Sequence, residues 1–273
     1  MIEQRWRERS ERWARPGARF DPARHDVRLL STESEARSFV VRHHYSGTWP
    51  AARFTFGLFR DGALAGVAVL GIPVQAKVLT SPFPALEPYA ESIELSRLVL
   101  LDEVEFNAES WMVSRVFRAA RERGIRGVVA FSDPVPRQRS DGSTVMPGHV
   151  GTIYQALGAS YCGRSTARTL LVLPDGTTFN ARTASKVRSR EQGWQYAVER
   201  LVALGATRPS DGRLDAWLPS ALDAAGAVRV RHRGNHRVGG VEHRDAVGRH
   251  VLHDHALHHC QVFDGAEIGR AHV

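Results

Sequence analysis

Residues 92–131 read SIELSRLVLLDEVEFNAESWMVSRVFRAARERGIRGVVAF, and this stretch decides the fold class. Ser92 to Leu100 alternates apolar and polar side chains and predicts a half-buried strand. Ser110 to Arg123 carries Trp111, Val113, Val116, Phe117 and Ala120 at helical spacing. It stops at Gly124, a residue suited to the left-handed turn that ends helices. Gly127 to Phe131 is a short apolar run and predicts a buried strand.

Working outward, Ser31-Thr-Glu-Ser34 followed by Ala36, Phe39 and Val40 predicts a helix start, with His43-His44-Tyr45-Ser46-Gly47 at its end. Arg53–Phe59 and Ala65–Leu70 flank Asp61-Gly62 and predict a hairpin. Pro82, Pro84 and Pro88 mark a loop. Gly151 to Leu157 starts a helix that Gly158 stops, and Thr169 to Leu173 is the last strand before Pro174-Asp-Gly176. The order helix, hairpin, strand, helix, strand, helix, strand closes naturally as an α/β (α+β) mixed sheet with helices on its faces.

Four regions follow. Residues 1–30 are an Arg-rich N-terminal arm, and residues 31–175 are the core. Residues 176–237 are a basic helical extension in which Trp194, Tyr196 and Trp217 interleave with arginines. Residues 238–273 form a His-rich tail, and nine of the thirteen histidines fall between His232 and His272. Such a tract suits metal. Its lack of an apolar period reads instead as an out-of-frame ending from about Val238.

Hydrophobic residues make up 42% and charged residues 24% of the chain, ordinary for a globular protein. No apolar run approaches the roughly 20 residues of a membrane helix. The N-terminus has no apolar signal region, so a cytoplasmic protein without a membrane partner is expected. The net charge of +8 favours a polyanionic partner. Arginine supplies nearly all of it, Lys77 and Lys186 being the only lysines. In the extension, Arg182, Lys186, Arg188 and Arg190 read either as solvated helix faces or as contacts to double-stranded DNA. Cys162 and Cys260 are too few and too distant for a disulfide framework or a zinc knuckle, and Cys162 reads as a core residue.

Polar residues gather at element ends: His44 and Tyr45, Arg97, Asn107 and Ser110, Asp133, then His149, Gly151 and Tyr154. Sites in open α/β sheets lie beyond strand ends and at helix starts. Each also has a plain structural reading: Arg97 bridged to Glu94, Ser110 as a cap, Asp133 in a turn, Tyr154 in the core.

The motifs His43-His44-Tyr45-Ser46-Gly47, Glu94-Leu-Ser-Arg97-Leu98, Asn107-Ala-Glu-Ser110, Phe131-Ser-Asp133-Pro134 and Gly148-His149-Val-Gly-Thr-Ile-Tyr154 together resemble the bacteriophage Mom family. The resemblance spans about residues 30–175 and continues weakly to Arg237. It implies a GCN5-related acetyltransferase-like scaffold on which adenine N6 in duplex DNA becomes a carbamoylmethyl derivative, protecting phage DNA from restriction. It also implies iron, with His44, Tyr45, Arg97, Ser110, Asp133 and Tyr154 as site residues and His44, Asp133 and Tyr154 as the metal set. An insertion, Arg137 to Met146, departs from the pattern.

Two rivals stand beside it: an N-acyltransferase using acetyl-coenzyme A, and a non-catalytic DNA-binding accessory protein. Acetyltransferases hold the pyrophosphate on a glycine-rich loop between strand and helix. Here that stretch, Leu101 to Ser110, has no glycine and four carboxylates, so acetyl-coenzyme A is not expected.

Overall fold

A computed structural model describes residues 3–14, 20–210, 213–241, 243–244 and 250–251. Its elements begin with strands β1 (Glu3–Arg7), β2 (Ser10–Ala14) and β3 (His25–Leu29), helix α1 (Glu33–His43), strands β4 (Ala52–Arg60) and β5 (Ala63–Gly71) and a short helix α2 (Lys77–Thr80). Strand β6 (Ser92–Leu100), helix α3 (Ala108–Arg121) and strands β7 (Gly127–Ser132), β8 (Arg137–Gln138) and β9 (Thr144–Met146) follow. Helix α4 (Thr152–Ala156) leads to β10 (Ser160–Arg164), β11 (Arg168–Val172), α5 (Ala181–Ser189), α6 (Trp194–Ala203) and α7 (Leu214–Ala224). The last elements are β12 (Val228–His232), β13 (His236–Val241), β14 (His243–Arg244) and β15 (His250–Val251). No helix among the described residues is long and apolar enough to cross a membrane.

The chain divides into two compact units. The first holds residues 1–134, 149–165 and 235–273 and contains a seven-stranded sheet of order β10-β13-β7-β6-β5-β4-β3. All its pairings are antiparallel except β6 with β7. The β4–β5 hairpin turns on Asp61 and Gly62, both at positive φ, as the Asp-Gly pair predicts. Helix α3 buries Met112, Val113, Val116 and Ala120 against Phe56, Leu58, Val128 and Ala130. Burying a Val or Met of this kind contributes about 1.5–3 kcal/mol. The helix closes at Gly124, where the Ile125 N–H reaches the Ala120 carbonyl at 3.1 Å. On the sheet's other face Val129 meets Leu79, Phe83 and Leu86.

The second unit holds residues 135–148 and 166–234. Helices α5, α6 and α7 enclose Val187, Val198, Leu201, Leu218 and Phe179, beside a two-stranded ribbon of β11 and β12.

Three expectations change. The N-terminal arm is a β1–β2 hairpin whose Arg5 is wholly buried, and β3 is an edge strand of the main sheet. The strand at residues 168–172 leaves the main sheet and pairs with β12, because alternation shows a strand but not its partner. The chain from His236 to Val241 is a central strand between β10 and β7, with Val238 buried. A Cβ at position 239 would lie 3.0 Å from Phe83 and 3.3 Å from Cys162, so the glycine there fits a tight interior. An out-of-frame ending therefore cannot begin at Val238. His253, His255, His258 and His259, with Cys260, lie outside the described residues.

Candidate active site

The site begins where two parallel strands part. β6 and β7 pair only through Ser92–Leu95 and Gly127–Ala130. Against β5 the register slips, so that Arg97 faces Val69 while Leu95 faces Leu70. Ser96 is the extra residue of a β-bulge, which bends the strand and re-aims its neighbours. Arg97 lies in the bend. Its Nε donates to the Thr48 carbonyl at 3.2 Å, its Nη2 to Thr48 Oγ1 at 2.9 Å and its Nη1 to the Ser96 carbonyl at 2.6 Å. Three of five guanidinium N–H groups are thus used, and two remain for an anion. Burial lowers the Arg97 pKa, opposed by Tyr45 and Glu94. Burial raises that of Glu94, opposed by Arg97 and a hydrogen bond from Ser96.

Arg97 thereby holds the loop that follows α1. His44 caps that helix and is buried. The Ser46 backbone N–H donates to His44 Nδ1 at 3.1 Å, and Ser46 Oγ lies 2.9 Å from the same nitrogen. A backbone N–H can only donate, so Nδ1 carries the lone pair and neutral His44 holds its proton on Nε2. Burial holds its pKa well below the ordinary value, helped by Arg97 and His149. Tyr45 leans on the His44 ring at 4.2 Å between centroids and on Trp6 of β1 at 5.1 Å.

The end of β7 supplies the other wall. The Asp133 carbonyl accepts from the His149 N–H at 2.8 Å, which brings the two residues together. Burial lowers the His149 pKa and Asp133 opposes, while His236, opposite Ser132 in the β7–β13 register, lowers it further. Ser132 is wholly buried, and its Oγ has no hydrogen-bond partner among the described residues. Gly151 stands at φ +79°; a Cβ there would lie 3.0 Å from Tyr154 Cδ2 and 3.1 Å from Ser132 Oγ. Tyr154 is buried, and burial, with Tyr45 and Glu94, raises its pKa and keeps the phenol protonated.

His44 and Arg97, Arg97 and Tyr45, and Tyr45 and Tyr154 are thus within electrostatic reach pair by pair, and Asp133 joins His44 through His149. Ser110 is not drawn in: its hydroxyl donates to the Asn107 carbonyl at 3.1 Å within the first turn of α3. His149 and Glu94 join the cluster although neither is among the site residues that the family resemblance implies. The His149 motif pointed to the first. Glu94 stood in the sequence only as a bridge to Arg97 within the Glu94-Leu-Ser-Arg97 motif.

The residues do not fit an iron centre at His44, Asp133 and Tyr154. Ligation through His44 Nε2 would require stripping its proton while Ser46 still donates to Nδ1. Among the described residues no group of three or more His, Cys, Asp or Glu side chains is placed to hold a metal ion.

The β6–α3 connection explains its own acidity. Arg5 Nη2 donates to the Glu105 carbonyl at 2.9 Å and Nε to the Val104 carbonyl at 3.3 Å, and Nη1 pairs with Glu109 in the first turn of α3. Arg7 pairs with Asp102 at 2.6 Å and with Glu103. Arg60 pairs with Glu105 at 2.8 Å. The four carboxylates are counter-ions to the chain's own arginines, and these N-terminal arginines are not a free basic rim.

In the second unit Arg182 is bound by Glu191 through two hydrogen bonds, one of 2.9 Å. Arg190 lies over the Trp194 ring at 6.0 Å. Lys186 and Arg188 have no ion pair among the described residues.

No curated protein matches the chain. Among solved structures it is similar to a tandem GNAT protein from the clavulanic acid biosynthesis pathway, with 14% identity, 83% of this chain and 72% of that one covered, and a TM-score of 0.36. It is similar to an IAA acetyltransferase from Bacillus cereus, with 9% identity, 79% and 97% covered, and a TM-score of 0.33. The N-acetylglutamate synthase from Neisseria gonorrhoeae gives 12% identity and a TM-score of 0.33 over 84% of this chain, which spans only 35% of that synthase. The Mom protein family matches residues 30–209, an interval that takes in every residue of the cluster from His44 to Tyr154 and well over half of the 273 positions, and the chain belongs to that family.

Proposed function

We propose that, within the DNA modification its family supports, this protein is a transferase that converts adenine N6 to a carbamoylmethyl derivative in duplex DNA. The observation that carries the reading is the family match over residues 30–209, which takes in all of the clustered polar residues. The geometry supports it through chemistry. Adenine N6 is a weak nucleophile because its lone pair is delocalised into the ring, and it must leave the base stack to be reached. As N6 bonds to the donor's methylene carbon, that carbon's bond to the donor's leaving group breaks, the leaving group departs with the electron pair, and N6 releases one proton. Neutral His149, with Asp133 beside it to stabilise the imidazolium, is the group to take that proton. His44 Nε2–H and the Tyr154 hydroxyl are fixed donors for a base edge or a developing negative charge. Arg97 holds the His44–Thr48 loop in place and offers its two remaining N–H groups to an anionic donor. Lys186 and Arg188 supply contacts to the DNA backbone. Protection of phage DNA from restriction would follow from the altered base.

Nucleoside mass spectrometry on DNA from cells expressing the protein is the test. Adenosine carrying the added group is expected, with the His149→Ala and Tyr154→Phe variants lowering its yield about 100-fold or more. Unmodified adenine alongside soluble wild-type protein would sink the reading.

The acyltransferase alternative is separated by its cofactor. The anion-binding start of α3 is taken up by Glu109 and Arg5, which speaks against a coenzyme A pyrophosphate there. Isothermal titration with acetyl-coenzyme A is expected to give no heat of binding at millimolar concentration. Micromolar affinity would favour the acyltransferase.

A further inference from the structure

We infer that the β11–β12 ribbon is a surface that tracks the phosphate backbone of duplex DNA. The inference rests on the DNA reading above and assigns the contact to residues that reading does not use.

Strand β12 reads VRVRH, with Arg233 next. Period-two alternation sends Arg229 and Arg231 to one face of the ribbon, and Arg233 follows at the next alternate position just past the strand. Across the ladder, Arg231 faces Thr169 and Arg229 faces Leu171. Directly opposed residues project to the same side, so the two arginines share theirs with Thr169 and with Leu171, which packs against the helical core of this unit, and no acid stands among them. Neither strand contains Asp or Glu. All three arginines are exposed, and none has an ion-pair partner among the described residues.

The contrast with the rest of the protein is informative. Arg5, Arg7, Arg24, Arg60, Arg182 and Arg208 each sit on a carboxylate. Three consecutive alternate positions without a counter-ion repel one another and gain nothing from the fold. A polyanion would supply the missing charge. Residues two apart on a strand are spaced by about 6.7 Å, comparable with the rise of two nucleotides along one DNA strand. Guanidinium forks match phosphate oxygens in pairs.

Fluorescence anisotropy with a labelled duplex, titrated with salt, tests the assignment on the full chain. Each phosphate contact contributes about 0.9 to the slope of log affinity against log salt. The triple variant R229Q/R231Q/R233Q is expected to lower that slope by about 2.7. Across a fourfold rise in salt, wild type should then lose about 40-fold more affinity than the variant. The matching Arg→Lys triple variant should keep the wild-type slope, since lysine retains the charge. If the Gln triple variant fails to fold, the single variant R231Q should still lower the slope by about 0.9. Wild-type binding with an unchanged slope in the Gln variants would overturn the ribbon assignment and leave the DNA reading standing. A wild-type chain with no affinity for duplex at low salt would overturn the DNA reading itself.

Discussion

Replacing Arg5 with methionine is expected to lower stability by about 3–5 kcal/mol, the range for breaking a buried ion pair by removing one partner. Arg5 is wholly buried, and its pair Glu109 is 5% exposed. Methionine fills the volume but leaves the Glu109 carboxylate without a counter-charge, the Val104 carbonyl without a donor and the Glu105 carbonyl with only the Ala108 N–H at 3.4 Å. A fall in Tm of roughly 10 °C should be seen by circular dichroism. The double variant R5M/E109M should recover part of the loss, because removing both charges also removes their desolvation cost. The Val104 carbonyl stays unpaired, so recovery should be incomplete. The same hairpin carries Trp6, which backs Tyr45. R5M should therefore also reduce adenine modification at temperatures where the protein is still folded. A Tm within about 1 °C of wild type would show that the hairpin is peripheral and that the acidic start of α3 needs no internal cation.

The central hairpin and the β6–α3–β7 unit were legible because their signals are local. Asp61-Gly62 must take positive φ, and the apolar spacing of Trp111 to Ala120 has one simple reading. Arg5 had no such signal. An arginine within a basic segment looks like a solvated charge until the carboxylate 104 positions away that neutralises it is brought beside it. Strand β13 was hidden for a different reason. His236-Arg-Val-Gly-Gly-Val241 has little apolar content, and its place between β7 and β10 comes from pairing and from the room that Gly239 leaves. At the site, Arg97 was visible as a charge in an apolar strand. The Ser96 bulge that turns it toward Thr48 exists only in the register with β5. The proton position on His44 likewise depends on a backbone N–H two residues on, which composition cannot show.

His44 also sets how the protein responds to acid. An unfolded histidine titrates near pH 6.5. Burial holds the folded His44 well below that. Between the two values the unfolded chain binds the proton and the folded chain does not, so stability falls as pH drops through 6.5 towards the folded value. Above about pH 7.5 the contribution is flat. The slope for one such histidine is about 1.4 kcal/mol per pH unit. His149 shifts in the same direction and steepens the loss. Urea denaturation at pH 7.5, 6.5 and 5.5 should show this decline in wild type. His44→Asn isolates the contribution, because the Asn Oδ1 can accept from the Ser46 N–H as Nδ1 does and does not titrate. That variant should match wild type within about 1 kcal/mol at pH 7.5, lose less between pH 6.5 and 5.5, and become the more stable protein at the acid end. Parallel pH profiles for the two proteins would mean that the folded His44 accepts a proton as readily as the unfolded one, and a neutral Nε2–H donor would then be no part of the site.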